Sequence, residues 1–307
     1  MGILAIDFGG TRTRAAFYND AVEQIARDET RSLVDQPAAA VIERILQTAR
    51  KVVPSGEKIN VIGISAPGPL DARAGIIRSA LTLPGWHDTP LAEIVSSAFS
   101  SVPTYIENDA NLAALAEHER GAARGCDPSI YMTLSTGIGG GAVVNGRLFT
   151  GWSGLAIEPG HMRFTLPSGE IRRLEELASG TAIGSIAQTR LETTNSHSIL
   201  RECTVVDGQA VGEAAQAGDV FARELIQEAG EWLGLGLVNL LHLFSPQVIV
   251  LGGSVSKLGD LLLQPAWKVI HAQILDPGFI PPNLIRLAEL GDDVCLVGAA
   301  LYAARHL

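Results

Sequence analysis

The sequence predicts an α/β protein with mixed β-sheets flanked by helices. Three observations carry that expectation. Short apolar runs bounded by Gly, Pro, Asn and Asp alternate along the chain with longer stretches of helical spacing. Both halves open on strands around a glycine turn and close in alternating helices and strands. Of the 307 residues, 47% are hydrophobic and 18% charged, which is enough apolar surface for a large core and excludes a disordered chain. The length suits two domains of about 150 residues each. A TIM barrel fits poorly, because this chain begins with hairpins rather than strand–helix units.

In order, residues 3–8, 14–18 and 24–29 read as strands, punctuated by Gly9-Gly10 and Asn19-Asp20. Alanine-rich 36–52 has helical spacing, with Pro37 in its first turn. Residues 59–65 form an apolar strand ending at Ala66-Pro67-Gly68-Pro69; 90–99 reads as helix and 104–107 as a short strand. Asn108-Asp109 then open a helix through 110–123. The second half has strands at 129–135 and 142–145 around a glycine cluster, then helices at 174–178, 181–191, 208–215 and 219–244. A strand at 247–251, a helix at 264–275, a strand at 284–290 and a helix at 294–307 complete the chain. The expected domains are 1–110 and 111–293, with 294–307 packing back on the first.

Asp plus Glu outnumber Lys plus Arg 33 to 23, and no basic block exists, which argues against a nucleic-acid partner. One small phosphate ligand needs only local N–H groups and a metal ion. Cys126, Cys203 and Cys295 are far apart without CxxC spacing, which suits a reducing cytoplasm. The N-terminus meets Asp7 without a basic segment, so no signal peptide is expected. Residues 232–256 carry no charge and are long enough to span a bilayer, but Asn239, His242 and Ser245-Pro246-Gln247 cut them into a buried helix and a buried strand. The expectation is a soluble protein without a membrane partner.

Three glycine clusters follow apolar strands: Asp7-Phe8-Gly9-Gly10-Thr11, Ser135-Thr136-Gly137-Ile138-Gly139-Gly140-Gly141 and Leu251-Gly252-Gly253-Ser254. Tight turns without Cβ atoms aim successive N–H groups at one anion, so three together point to phosphate. No lysine completes a Walker A loop. The run 137–142 matches the dinucleotide fingerprint G-x-G-x-x-G/A, yet it leads toward an Asn145-Gly146 hairpin turn instead of a helix, which weighs against a dehydrogenase. Asp7 beside its turn suits Mg²⁺ held through water, or simply caps the turn.

Asp109 at a helix start is expected to be ionised by the helix dipole. It could take a proton from an alcohol or merely cap its helix, the commoner use. Glu158-Pro159-Gly160-His161 cannot be helical, so Glu158 and His161 sit on a stiff turn suited to several hydroxyls, or to none if the turn is an ordinary surface one. Glu175 equally reads as a first-turn helix charge.

Taken in order, these elements resemble the ROK family of sugar kinases, in the actin/hexokinase/Hsp70-like superfamily. The motifs are Asp7–Thr11, Gly63-Ile64-Ser65-Ala66-Pro67-Gly68-Pro69-Leu70-Asp71, Leu83-Pro84-Gly85-Trp86 (with Thr82 where Asn is usual), Glu107-Asn108-Asp109-Ala110-Asn111, Ser135–Gly141, Glu158–Met162, Val250–Gly253, and Leu290-Gly291-Asp292-Asp293 with Gly298-Ala299-Ala300. The resemblance implies two actin-like (ribonuclease H-like) domains with a cleft between them. It implies an ATP-dependent kinase transferring the γ-phosphoryl group to a hexose hydroxyl, O6 of glucose or a near relative. Asp109 would be the base. Asn108, Glu158, His161 and Glu175 would bind the sugar; Gly9, Gly10, Thr11, Thr136, Gly137, Gly252 and Gly253 the ATP; Asp7 the Mg²⁺.

A homodimer is implied by the resemblance, and the sparse cysteines suit a cytoplasmic one. Where most relatives carry a structural zinc loop with CxCGxxGC, Ser168–Glu175 here is shorter and lacks cysteine, so no zinc is expected. Two other functions compete. One is a sugar-sensing repressor, disfavoured because Asp7 leaves no room before it for a helix-turn-helix. The other is a non-catalytic sugar-binding protein, which the altered loop keeps open.

Overall fold

The computed structural model describes residues 2–78 and 83–307; Thr82 of the third motif run lies outside the described residues. The chain divides into two compact units, residues 1–124 with 147–156 and 290–307, and residues 125–146 with 157–289. These limits differ from the expected 1–110 and 111–293. The helix after Asp109 stays with the first unit because it packs on the C-terminal helix and on the first sheet.

The first unit contains β1 (Gly2–Phe8), β2 (Arg12–Tyr18), β3 (Gln24–Arg31), α1 (Ala38–Lys51), β4 (Ile59–Ala66), β5 (Leu70–Asp71), β6 (Ile76–Ile77), α2 (Leu91–Ala98), β7 (Thr104–Asn108) and α3 (Asp109–Arg120). The second begins with β8 (Ser129–Leu134) and β9 (Ile138–Val144); the short β10 (Arg147–Leu148) returns to the first unit. The second unit continues with β11 (Arg163–Thr165), β12 (Ile171–Arg173), α4 (Glu175–Ala178), α5 (Gly180–Thr193), α6 (Gly208–Gln216) and α7 (Val220–Phe244). It ends with β13 (Val248–Gly252), α8 (Asp260–Gln273) and β14 (Ile285–Leu287), and α9 (Val294–Ala304) belongs to the first unit.

In the first unit the sheet order is β3-β2-β1-β4-β7, antiparallel through β1, β2 and β3 and parallel through β1, β4 and β7. All of β1 is buried, as a central strand covered on both faces must be. Leu4, Ile6 and Phe8 join a core with residues of α1 and α2, and Phe8 stacks on the fully buried Trp86 with ring centroids 5.0 Å apart. Ile3 and Ala5 turn to the other face, under α3 and α9.

Those two helices run side by side in the same direction. The Cys295 thiol donates to the Asp109 carbonyl (3.7 Å), Gly298 sits against Leu112, and Arg305 Nε donates to Glu119 (3.1 Å), all at a constant offset of 186 residues. Gly298 permits the approach, since a Cβ there would lie 2.1 Å from the Leu112 carbonyl oxygen. Gly63 does the same for the sheet, where a Cβ would lie 2.0 Å from the Ala299 carbonyl oxygen.

In the second unit β9-β8-β13-β14 form the sheet, antiparallel between β8 and β9 and parallel beyond. Helix α7 packs along α8, with Gly230 and Gly234 against the Leu262 and Ala266 carbonyls. The uncharged run at 232–256 divides as expected: α7 stops at a left-handed Ser245 and β13 follows. No helix among the described residues is long and apolar enough to cross a membrane.

Three local expectations change. Ile138–Gly141 is strand rather than turn, because its glycines make room for a neighbouring segment. Residues 163–173 form a hairpin that had no strand-like pattern. Helix α8 starts at Asp260, ahead of the expected 264, and keeps Pro265 inside it.

Replacing Gly298 with Ala should force α9 away from α3. We expect a loss of roughly 1–3 kcal/mol of stability, read as a lower denaturation midpoint; an unchanged midpoint would show that the contact yields freely.

Candidate functional site

The first sheet carries one polar row across all five strands. Register pairs Glu29 with Arg14, Arg14 with Asp7, Asp7 with Ser65, and Ser65 with Glu107. The row lies toward the carboxyl ends of β1, β4 and β7, where parallel α/β sheets place their ligands. Asp7 is 5% exposed and accepts from Arg14 Nη1 at 2.9 Å. Burial raises the Asp7 pKa, and the Arg14 guanidinium is the main opposing influence. The buried Ser65 hydroxyl beside it also favours the charged form of Asp7.

Asp7 was expected to serve Mg²⁺, and its surroundings fit an outer-sphere role. One carboxylate oxygen is taken by Arg14, and no group of three or more His, Cys, Asp or Glu converges among the described residues. Mg²⁺ characteristically keeps several waters and binds through one or two carboxylates plus substrate phosphates.

Gly9, Gly10 and Thr11 form the turn at the end of β1. It is laced from inside: Gly9 N–H donates to the Arg12 carbonyl (2.9 Å), and Ser32 donates from its N–H to Thr11 O (3.0 Å) and from its hydroxyl to Gly9 O (2.6 Å). The N–H groups of Gly10 and Thr11 have no acceptor among the described residues, and both residues are exposed.

At the end of β7 the capping question is resolved. Asn108, not Asp109, is the N-cap of α3; its side-chain oxygen accepts from the N–H of Ala110 (2.9 Å) and Asn111 (3.4 Å). Asp109 therefore stands at the first helical position, half-buried, with Oδ1 accepting from Ala110 N–H at 2.7 Å. Glu107 behind it accepts from Asn108 N–H (2.8 Å) and Asn111 Nδ2 (3.1 Å), and burial pushes its carboxyl pKa up. Cys295 in the first turn of α9 adds a thiol whose pKa is driven well up by burial and by the negative Asp7 and Asp109, so it stays protonated. Nothing in the spacing marks Arg14, Ser65 or Cys295, because strand register and helix docking bring them here.

The second unit holds the other expected group. Glu158 precedes a single 3-10 turn, Pro159–His161. That turn is pressed onto β9: a Cβ on Gly140 would lie 2.7 Å from Pro159 Cγ, and one on Gly160 would lie 2.1 Å from the Ile138 carbonyl oxygen. Glu175 folds over the Ser135–Gly137 turn, its carboxylate accepting from Ile138 N–H at 3.1 Å. Glu158 is exposed, yet its carboxyl lies amid enough protein that lost hydration raises its pKa most; nearby Glu175 raises it further and His161 opposes. Glu158, His161 and Glu175 thus form one electrostatic group, 14 residues from Glu158's turn to Glu175 being closed up by the β11–β12 hairpin.

A cavity of about 380 Å³ adjoins the Ser135-Thr136 turn. The first turns of α5 and α6 meet there through Gly180 and Gly208, capped by Ser179 and Asp207, and Ser254 and Lys257 line it too. Of the four expected nucleotide residues in this unit, Thr136 lines the cavity and Gly137 adjoins it in the same turn. Gly252 and Gly253 have internal reasons to be glycine: a Cβ would lie 2.2 Å from the Tyr131 hydroxyl and 2.3 Å from the Leu134 carbonyl oxygen, respectively. Gly180 and Gly208 escaped the sequence reading because each looks like an ordinary glycine beside a cap.

Comparison with known proteins agrees along the whole chain. The ROK family model matches residues 3–306. The glucokinase of Thermotoga maritima is 30% identical, covering 97% of this chain and 96% of its own, and that of Halalkalibacterium halodurans is 33% identical, covering 96% and 92%. A putative xylose repressor of Caldicellulosiruptor is 30% identical over 83% of this chain and 65% of its own. Among solved structures, the ROK hexokinase of Thermus thermophilus superposes with a TM-score of 0.82 at 32% identity, covering 100% and 99%. A ROK family glucokinase of Streptomyces griseus in complex with glucose and AMPPNP gives 0.81 at 30%, covering 99% and 100%. With its mixed sheets, its two actin-like domains and its ordered motifs, the chain belongs to the ROK family.

Proposed function

We propose that the protein is an ATP-dependent hexose kinase that phosphorylates glucose or a near relative at O6, with Asp109 as general base. The observation that supports this is that Asn108 rather than Asp109 is the N-cap of α3, so Asp109 is a first-turn acid close enough to Asp7 for both charges to act on the Cys295 thiol. The glucokinases of similar length and the complex with glucose and AMPPNP support the substrate classes.

In this reading the sugar hydroxyl gives its proton to the Asp109 carboxylate as its oxygen attacks the terminal phosphorus, and the bond to the leaving phosphate breaks. Phosphoryl transfer asks little of the protein beyond positioning and charge stabilisation. Asn108 spends its oxygen on the cap and keeps its amide hydrogens for a sugar hydroxyl. Glu158, His161 and Glu175 bind further hydroxyls. The amides of Gly10 and Thr11 receive phosphate oxygens, while Thr136 and the helix starts at Gly180 and Gly208 receive the nucleotide. Asp7, pinned by Arg14, would hold Mg²⁺ through water. When bound, Mg²⁺ neutralises charge on the phosphate oxygens. The hairpin at 163–173 closes by its own main-chain bonds, Leu166 N–H to Glu170 O at 2.8 Å among them, so it needs no zinc.

A second reading, a sugar-binding regulator without catalysis, draws on the similarity to the xylose repressor. Asp109→Asn separates the two. As a kinase, the variant should lose about 10²–10⁴-fold in kcat in a coupled ADP assay across hexoses, while calorimetry still shows sugar binding; equal rates in both proteins would remove Asp109 as the base. Sugar affinity should also fall on acidification at a pH above the ordinary glutamate range, because Glu158 takes up its proton early and ceases to accept. Glu158→Gln should weaken binding about tenfold and flatten that limb of the kcat/KM profile. Metal analysis of the purified protein should find no stoichiometric zinc; one zinc per chain would contradict this account.

A further inference from the structure

We infer that Arg12 and Arg31 form a clamp for a phosphoanhydride chain, extending the Gly9–Thr11 turn by a second phosphoryl group. The clamp presupposes that this turn holds phosphate, as proposed above. Arg12 opens β2 and Arg31 ends β3, and the two are direct cross-strand partners. Both are exposed, at the same end of the sheet as the turn. Directly opposed side chains have Cβ atoms about 5 Å apart, and like charges so placed destabilise a sheet.

The surrounding ion pairs relieve that repulsion only in part, through Glu29 at 3.6 Å from Arg12. The guanidiniums of Arg12, Arg14, Arg27 and Arg31 share this face with the carboxylates of Asp7, Glu29, Asp293 and, farther along the row, Glu107. Asp7 is taken by Arg14 at 2.9 Å, and Asp293 by Arg27 at 2.9 Å. Glu29 also lies 2.9 Å from Arg27, leaving Arg12 at 3.6 Å and Arg14 at 3.8 Å from it. Arg31 has no counter-ion among the described residues. An exposed edge strand would accept a neutral residue there.

The same two arginines flank the turn whose Gly10 and Thr11 amides lack acceptors. Ser32, next to Arg31, donates to both Gly9 O and Thr11 O, so the end of β3 is fixed to the turn. The Thr13 and Ser32 hydroxyls bond beneath it at 3.0 Å. Two amides and two planar forks held together suit adjacent phosphoryl groups better than one, since each guanidinium can engage phosphate oxygens bidentately. A bridging polyanion turns the mutual repulsion of the pair into shared attraction.

The test titrates the sugar-free full chain at low salt with tripolyphosphate, and in parallel arms with ATP and with inorganic phosphate. Arg31→Met should weaken tripolyphosphate and ATP about tenfold and leave inorganic phosphate little changed; Arg31→Lys should recover part of the loss. The unliganded Arg31→Met protein should also keep or raise its Tm, because a repulsion has gone. No tripolyphosphate binding by the native protein, or unchanged affinity in Arg31→Met, would overturn the clamp. So would a lowered Tm, which would make Arg31 structural, or a loss confined to ATP, which would make the nucleoside the partner. A sugar kinase indifferent to Arg31 would keep the proposed function and lose the clamp; Arg31-dependent tripolyphosphate binding without sugar phosphorylation would do the reverse.

Discussion

A carboxylate buried in the middle of a five-stranded sheet has to be compensated, and the ion pair of Asp7 with Arg14 is the interaction on which the first unit's chemistry depends. Without a neighbour, burial would drive Asp7 to its neutral form. The antiparallel register of β1 and β2 sets Arg14 directly beside it, and the parallel register of β1, β4 and β7 continues the polar row through Ser65 to Glu107. A one-residue slip of any strand would move its member of the row to the apolar face under α1 and α2. The hydrophobic alternation that builds the core therefore also aligns the reactive groups.

Glycine does most of the remaining positioning, by close approach more than by unusual backbone angles. Gly63 and Gly298 let α9 lie against the sheet and against α3, which brings the first turns of two parallel helices to Asp7 and Asp109. Aligned peptide dipoles make that end electropositive and favour the anions a phosphoryl transfer generates. In the second unit, Gly140 and Gly160 seat the Glu158–His161 turn on β9, while Gly180 and Gly208 let two helix starts meet at the cavity.

One strand-ending turn thus exposes two backbone amides, one helix start carries an acid, and one rigid turn carries Glu158 and His161. Each rests on regular secondary structure whose backbone is otherwise satisfied, so little reorganisation is needed when charge develops. The exposed Arg31 of β3 is the exception, since no ion pair among the described residues offsets its charge.

The sequence by itself determined the α/β class, most of the strands and helices, and the ordered motifs of the ROK family, because period-2 and period-3.6 patterns and turn residues act over a few neighbours. It also presented Asp109 at a helix start, but left open whether it capped that helix; the answer lay in the rotamer of Asn108. Tertiary structure alone decided that Ile138–Gly141 is strand, that 163–173 is a hairpin, and that α3 belongs with the first unit. It alone brought Arg14, Ser65 and Cys295 to the acids and set Arg31 opposite Arg12. Those outcomes depend on register and on the distance of closest approach between elements remote in the chain, and neither quantity is written in the spacing of residues.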